Sequence, residues 1–311
     1  MSPMRKRTFV TIATLAAVGC LQAAQPAAPK FDGARAMDDV RQLVAIGPRV
    51  AGSPGAQAAR DYIRKQLQAN GVTVEEQPFE AATPLGRVHM VNLRATLPGA
   101  QGTGARSTAR LIIGGHYDTK LFKEFTFVGA NDGGSSAAFL IELARALKGR
   151  TNRLPIELLF LDGEESTGDW QGQDHTYGSR FYVDALRKAG AVAQVHAFVL
   201  VDMIGDSNLV IKRESNSTPY LTEAIWSAAR RLNRREFVSD STPIEDDHRE
   251  FLAAGIPSVD IIDLEYPDAS SRFWHTQEDT IDKISAASLQ AVGDVVLAAL
   301  PALEMASPRA H

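Results

Sequence analysis

The length and composition of the chain define its general class. It has 311 residues, of which 44% are hydrophobic and 23% are charged, an ordinary globular composition that is long enough for one large α/β domain. The formal net charge of -4 excludes the strongly basic field that attracts nucleic acid or anionic lipid. We therefore expect one folded domain that does not bind nucleic acid.

The first 24 residues have the pattern of a signal peptide. Basic residues at positions 5–7 precede an apolar stretch over residues 8–21 that ends in small residues. Cys20, the only cysteine, stands where a bacterial lipoprotein signal places its acylated cysteine, so lipoprotein processing and ordinary cleavage both remain open. The sequence thus predicts export to the periplasm or the outer surface, with a lipid anchor at Cys20 as one alternative.

The folded domain is expected after a short tether. Residues 25–30 are rich in Ala and Pro, and the catalytic domain is predicted over residues 31–305. No intramolecular disulfide is available to a lone cysteine. No later stretch reaches the roughly 20 apolar residues of a membrane-spanning helix, so no transmembrane span is predicted.

Apolar strands and amphipathic helices alternate along this domain, and glycine-rich loops are predicted over residues 47–49 and 52–55. The alternation predicts an α/β sheet with helices on both faces. We expect helices over residues 31–46, 58–67, 135–147, 179–188, 221–232 and 285–303, and strands over residues 72–79, 88–97, 111–115, 156–161, 197–201 and 258–262.

Polar residues follow several of the predicted strands. His116 and Asp118 come after the strand over residues 111–115, and Asp202 ends the strand over residues 197–201. Ligands of open α/β sheets bind beyond the carboxyl ends of the strands. His116 is therefore a candidate metal ligand that Asp118 orients, although a hydrogen-bonded loop histidine stays an alternative.

Asp132 precedes a predicted helix, where it would be an ordinary helix cap. Gly133 and Gly134 argue against that interpretation. Two glycines let the backbone approach the carboxylate closely, and this costly feature would serve little purpose at an ordinary helix cap. His275 follows an aromatic pair and is a second candidate nitrogen ligand.

Glu164 and Glu165 are adjacent carboxylates directly after an apolar strand. Paired like charges at the end of a buried strand require a cation or a proton. One can bind a metal ion while the other acts as general base or acid. A solvated acidic turn is the alternative. The nitrogen and oxygen set that zinc accepts in catalytic sites comprises His116, Asp132, Glu165, Asp202 and His275.

The chain resembles the zinc aminopeptidase superfamily and, within it, the glutaminyl-peptide cyclotransferases. The broader resemblance rests on those five positions and on the glycine-rich segments at residues 47–49 and 52–53. The narrower one rests on longer strings at residues 116–120, 162–165, 173–180, 245–248 and 274–276 and on Trp170. This resemblance implies a single domain with a mixed, mostly parallel central sheet.

The resemblance to the cyclotransferases also implies roles for individual residues. It implies an enzyme that converts N-terminal glutamine of peptides or proteins to pyroglutamate with release of ammonia. One zinc ion would be bound by Asp132, Glu165 and His275, and His116 would be retained without binding metal. The remaining implied roles are proton transfer by Glu164, a carboxylate network of Asp202 and Asp246 beside it, and a glutamine pocket shaped by Trp170 and Trp274.

Two alternatives stay open on the sequence. In a two-zinc aminopeptidase, Asp132 would bridge the metals, and His116 and Asp202 would complete the second site. What favours the cyclotransferase is the inserted stretch at residues 168–174, together with both tryptophans and residues 246–248. The second alternative is a binding protein of the same fold without activity, against which the intact acidic pair argues. A monomer is the favoured oligomeric state.

Overall fold

A computed structural model describes residues 29–100 and 109–305. The predicted signal peptide, Cys20 and most of the tether lie outside the described residues.

The centre of the domain is a mixed sheet of six strands in the order β1-β2-β4-β3-β5-β8. β1 and β2 pair antiparallel at one edge, and β2 is antiparallel to β4. β4, β3, β5 and β8 run parallel to one another. The strands span Val74–Thr83 (β1), Gly86–Leu97 (β2), Arg110–His116 (β3), Ile156–Leu161 (β4), Val195–Asp202 (β5) and Ser258–Ile262 (β8).

Helices cover both faces of the sheet, as predicted. Side chains of a strand alternate between its two faces, and neighbouring residues of the central strands enter different cores. Ile113 and Val199 belong to the larger hydrophobic core, whereas Ile112, Phe198 and Leu200 belong to the smaller one. The described helices are Gly33–Ile46 (α1), Pro54–Ala69 (α2), Gly134–Ala146 (α3), Tyr177–Lys188 (α4), Pro219–Arg231 (α5), His248–Ala253 (α6) and Ala286–Leu303 (α7).

The second predicted loop, over residues 52–55, is partly wrong. Pro54 and Gly55 already belong to α2, because Ser53 caps the helix by accepting the N–H of Ala56 at 3.2 Å. Proline at the first helical position is compatible with this start, since it lacks an N–H that would need a partner.

Three short elements were not predicted. β6 (Ile211–Glu214) and β7 (Phe237–Thr242) form a separate parallel pair, and α6 has six residues. Each is too short or too polar to show a clear hydrophobic period. Together they matter for the site, because β7 and α6 flank residues 243–247.

Within residues 29–100 and 109–305, α7 alone has the length and hydropathy of a membrane-spanning helix. It packs against α1, α3 and α5, and most of its residues are buried in the domain. That packing is typical of the core helix of a folded domain.

Candidate active site

The candidate residues converge at the carboxyl ends of the parallel strands. His116 is the last residue of β3 and Asp202 the last of β5. Glu164 and Glu165 follow the end of β4 at Leu161. Because these strands are parallel neighbours, their ends meet at one edge of the sheet, as the sequence predicted.

Asp132, Glu165 and His275 form one group that can hold a metal ion. Nε2 of His275 lies 3.3 Å from Oδ2 of Asp132 and 3.2 Å from Oε1 of Glu165. Oδ2 of Asp132 and Oε2 of Glu165 are buried without a hydrogen-bond donor from the described part of the chain. Buried carboxylate oxygens without donors are costly, and a cation removes that cost. One imidazole nitrogen with two carboxylates is a donor set that fits zinc.

His116, Asp132 and Asp202 form a second such group. Nε2 of His116 lies 3.2 Å from Oδ1 of Asp132 and 3.1 Å from Oδ1 of Asp202. Asp132 is therefore shared, with one oxygen facing each histidine. Burial disfavours a charged His116, but Asp202 and its other acidic neighbours raise its pKa well above the usual value.

The structure rules out the interpretation of Asp132 as a helix cap. α3 starts at Gly134 with Gly133 as its cap, and no side chain of the described residues caps it. Gly133 has φ +73°, and a Cβ there would lie 2.4 Å from the carbonyl oxygen of Asp118. Glycine is required for this close approach, which brings the backbone around Asp132 against the loop that follows β3.

The side chain of Asp118 holds the backbone of Glu164 and Glu165 in place. Its carboxylate accepts the N–H of Glu164 at 3.2 Å and that of Glu165 at 3.3 Å. Oδ1 also lies 3.5 Å from Nδ1 of His116, the contact that the sequence predicted. One buried side chain thus positions two neighbouring loops of the site.

Asp279 performs the equivalent task for Asp132, although no sequence motif indicated it. Its two oxygens accept the N–H groups of Asn131 at 2.8 Å and Asp132 at 3.1 Å, and it accepts the hydroxyl of Tyr266 at 3.0 Å. Asp279 stands in a polar turn without a strand before it, so no sequence signal distinguished it from a surface aspartate.

Arg49, which the sequence linked to the site only through resemblance, is fully buried between the loops that carry the candidate ligands. Its guanidinium donates to the carbonyl oxygens of Tyr117 (2.8 Å), Val128 (2.6 Å) and Gly129 (2.9 Å). Burial lowers the pKa of Arg49 to about 10, so it stays charged at neutral pH. A planar group with five donors suits this arrangement of carbonyls.

Glu164 lies beside the metal-binding group in an acidic surrounding. Burial, and then repulsion from Asp246 and Glu165, raises its pKa well above the usual value, against the opposing effect of His116. Burial and the neighbouring Asp202 likewise raise the pKa of Asp246. A carboxyl group with a raised pKa can both accept and deliver a proton near neutral pH.

A cavity of about 310 Å³ lies above these groups, and Glu164, Glu165 and Asp132 line its inner part. Trp170 and Trp274 form part of its wall, and their role in binding glutamine stays a prediction. The apolar remainder, which the sequence analysis did not single out, consists of Met203, Pro243, Ile244, Ile262 and Leu264.

The loop that carries Trp170 is fastened at two points. Asp174 accepts the N–H and hydroxyl of Thr167 (3.1 and 2.8 Å) and the N–H of Gly168 (2.8 Å). Lys120 donates to the carbonyl of the same Gly168 at 3.1 Å. Trp170 itself stacks on His175 with ring centroids 4.3 Å apart. These contacts close the loop on itself through Asp174 and tie it to Lys120.

His275 is surrounded by aromatic rings. The ring of Trp274 stacks on it with centroids 4.2 Å apart, and the rings of Phe122 and Phe127 make T-shaped contacts with centroids 5.9 and 6.0 Å away. Its backbone has φ +53°, a strained conformation that is tolerated where the surroundings enforce it. Burial opposes its charge, yet Glu165 and Asp132 raise the pKa of His275 to about 10.

A mixed α/β sheet with a histidine and carboxylate group beyond its parallel strands defines a zinc-exopeptidase-like protein. Residues 92–300 match Peptidase family M28. The chain is 31% identical over 272 residues to the mouse glutaminyl-peptide cyclotransferase-like protein. The alignment covers 78% of this chain and 68% of the relative. The chain belongs to Peptidase family M28 and, within it, to the group of the glutaminyl-peptide cyclotransferases.

Solved structures agree with this placement and confirm the predicted fold and family. The glutaminyl cyclase of an Acidobacteriales bacterium has a TM-score of 0.83 and 36% identity, over 94% of this chain and 99% of that one. A leucine aminopeptidase precursor from Bacteroides thetaiotaomicron has a TM-score of 0.78 and 26% identity, over 88% of this chain and 98% of that one.

Proposed function

We propose that this protein is a zinc-dependent glutaminyl-peptide cyclotransferase, which converts N-terminal glutamine of peptides or proteins to pyroglutamate and releases ammonia. The observation that carries the proposal is the placement of Glu164 beside Asp132, Glu165 and His275 in the inner part of a cavity walled by two tryptophans. Its similarity to proteins of that name supports the same conclusion.

Asp132, Glu165 and His275 are proposed to hold one zinc ion. Its chemistry, when bound there, is to polarise the side-chain amide carbonyl of the substrate and to stabilise negative charge on that oxygen. The two donor-free carboxylate oxygens of this group support the assignment.

Glu164 is proposed to carry the proton that the reaction moves. The substrate α-amine nitrogen forms a bond with the side-chain amide carbon, and the bond from that carbon to the amide nitrogen breaks. Glu164 takes a proton from the amine and delivers one to the departing ammonia. Asp246 and Asp202 contribute by raising the proton affinity of this acidic group, as the pKa shifts of Glu164 and Asp246 indicate.

Trp170 and Trp274 are proposed to hold the glutamine so that its amine lies over its own amide. Confinement between rigid walls supplies effective concentration, because the ring-closing conformation is otherwise one of many. The Asp174 and Lys120 contacts described above support a fixed position for the Trp170 wall.

One observation favours a second candidate function, that of a two-zinc aminopeptidase. His116, Asp132 and Asp202 form a complete second group of potential ligands. Incubating the purified protein with a glutaminyl dipeptide tests both candidates at once. We expect ammonia without a free amino acid, whereas release of the second residue as a free amino acid would contradict the cyclotransferase proposal.

Metal content tests whether the fold is retained without activity. A binding protein that had lost the reaction would take up no stoichiometric zinc, whereas we expect one equivalent per chain.

Export is proposed from the pattern of residues 1–24. If Cys20 is acylated, Cys20→Ala moves the protein from the membrane fraction to the soluble fraction. If the wild type is already in the soluble fraction, the signal peptide is removed by ordinary cleavage without acylation.

A further inference from the structure

The mouth of the cavity is marked by the exposed members of its lining. Pro243, Glu245 and Trp274 are exposed, whereas the potential metal ligands and Glu164 lie inside. A bound glutamine places its amine and amide at the inner end. The peptide beyond it must therefore leave through the mouth, and its second residue is the first to pass these three side chains.

The cavity lining is acidic. Among the described residues, six carboxylates line it and no lysine or arginine does. Five of the six are potential metal ligands, Glu164 itself or its acidic neighbours. Glu245 is the sixth, and no role in metal binding or proton transfer is proposed for it.

Glu245 also lacks a structural partner within residues 29–100 and 109–305. Nearby carboxylates are paired: Glu250 lies 3.8 Å from Arg180 and Glu265 lies 2.5 Å from Lys212. Glu245 takes part in no ion pair and in no side-chain hydrogen bond with any residue of those two ranges. Its charge is available to whatever enters the mouth.

Three basic side chains near the site have contacts of their own. Lys212 pairs with Glu265, and the guanidinium of Arg272 lies 4.8 Å above the ring of Phe273. Lys120 donates to the backbone of the Trp170 loop. None of them lines the cavity, and among the described lining residues Glu245 is the one exposed residue that carries a charge.

We propose that Glu245 determines substrate specificity, by favouring a basic residue and disfavouring an acidic residue directly after the N-terminal glutamine. This inference rests on the proposed cyclotransferase activity. Exposed charge pairs are weak, so the effect on kcat/KM is expected to be about two- to five-fold for each charge change. Salt screens such pairs beyond roughly 10 Å at 0.1 M, and the preference should shrink as salt is added.

The test uses three peptide amides, Gln-Lys-Ala, Gln-Gln-Ala and Gln-Glu-Ala, with ammonia release as the readout. We expect kcat/KM to fall in that order for the wild type. Glu245→Gln should bring the three values together, and Glu245→Lys should reverse the order. Glu80→Gln is the matched control, because it removes an exposed carboxylate from the edge strand β1, and it should keep the wild-type order.

Two outcomes would overturn the inference by itself. One is equal kcat/KM for all three peptides in the wild type, and the other is an unchanged order in Glu245→Gln. Absence of ammonia from every peptide would instead overturn the proposed function, and the inference with it.

Discussion

Oδ1 of Asp132 lies 3.2 Å from Nε2 of His116, while the other oxygen of the same carboxylate faces His275. A carboxylate between two histidines suits either one metal ion or two. Cyclisation needs only a polarised amide and a proton carrier, so a single metal ion suffices for the proposed reaction, whereas peptide hydrolysis must also activate water.

The first prediction concerns metal count. We expect one equivalent of zinc in the wild type and in His116→Ala, and loss of zinc in His275→Ala, because only His275 belongs to the proposed zinc site. Elemental analysis of the purified proteins measures this. Two equivalents in the wild type, with hydrolysis of an unblocked dipeptide, would establish the aminopeptidase instead.

The second prediction separates the two adjacent glutamates. Glu165→Gln should lower zinc occupancy, because it removes a charged ligand. Glu164→Gln should keep zinc and abolish ammonia release, because the proton carrier is lost. Each variant is the control for the other, and equal zinc loss in both would show that the roles are assigned wrongly.

The third prediction concerns the Trp170 loop. Asp174→Asn replaces one carboxylate oxygen with a group that cannot accept the hydrogen bonds of Thr167 or Gly168. We expect KM to rise roughly ten- to hundred-fold with little change in kcat, because one lost hydrogen bond to a charged group is worth about 1.5–3 kcal/mol. Tryptophan fluorescence should shift in parallel.

Asp169→Asn is its control. Asp169 is an exposed residue of the same loop, and its substitution should leave both KM and fluorescence unchanged. A fall in kcat of Asp174→Asn at constant KM would contradict a role in positioning Trp170.

The fourth prediction concerns zinc affinity and Arg49. Arg49→Lys keeps a positive charge but cannot reach the carbonyls of Tyr117, Val128 and Gly129 together. Residues that orient metal ligands typically change affinity 10- to 100-fold, and we expect a loss in that range. Competition with a chelator measures it, and Arg41→Lys on the exposed surface is the control. Wild-type affinity in Arg49→Lys would contradict this role.

The fifth prediction concerns stability against pH. Burial disfavours the charge of Glu214, but the contact with Nε2 of His248 at 3.2 Å and the hydrogen bonds from Asn216 lower its pKa from 4.5 to about 2. A carboxylate whose pKa is lower in the folded state than in the unfolded state stabilises the fold. This stabilisation is fully present at pH values above the unfolded-state pKa, and it is lost as the pH falls toward the folded-state pKa. The shift corresponds to about 3 kcal/mol.

Glu214→Gln should therefore reduce the free energy of unfolding by about 3 kcal/mol at pH 7, and the difference should narrow below pH 4.5 toward pH 2. Urea unfolding at a series of pH values measures this. Glu278→Gln, at an exposed residue, should show little difference throughout. A constant difference for Glu214→Gln across the whole range would contradict the linkage.

The sequence by itself determined the α/β class, the main strands and the candidate ligands. Buried parallel strands are continuous apolar runs, and polar residues directly after them are conspicuous, as at His116, Glu165 and Asp202. The predicted strands over residues 156–161 and 258–262 match β4 and β8 at both ends.

Only the tertiary structure decided how Asp132 is shared and what holds it. Asp279 and Arg49 act on the site through contacts with residues far away in the chain, between 68 and 148 positions distant. Neither the hydrophobic periodicity nor the local composition of the sequence predicts such contacts, because they depend on how separate loops pack. The same holds for Glu245, whose charge has meaning only because the fold places it at the mouth of the cavity.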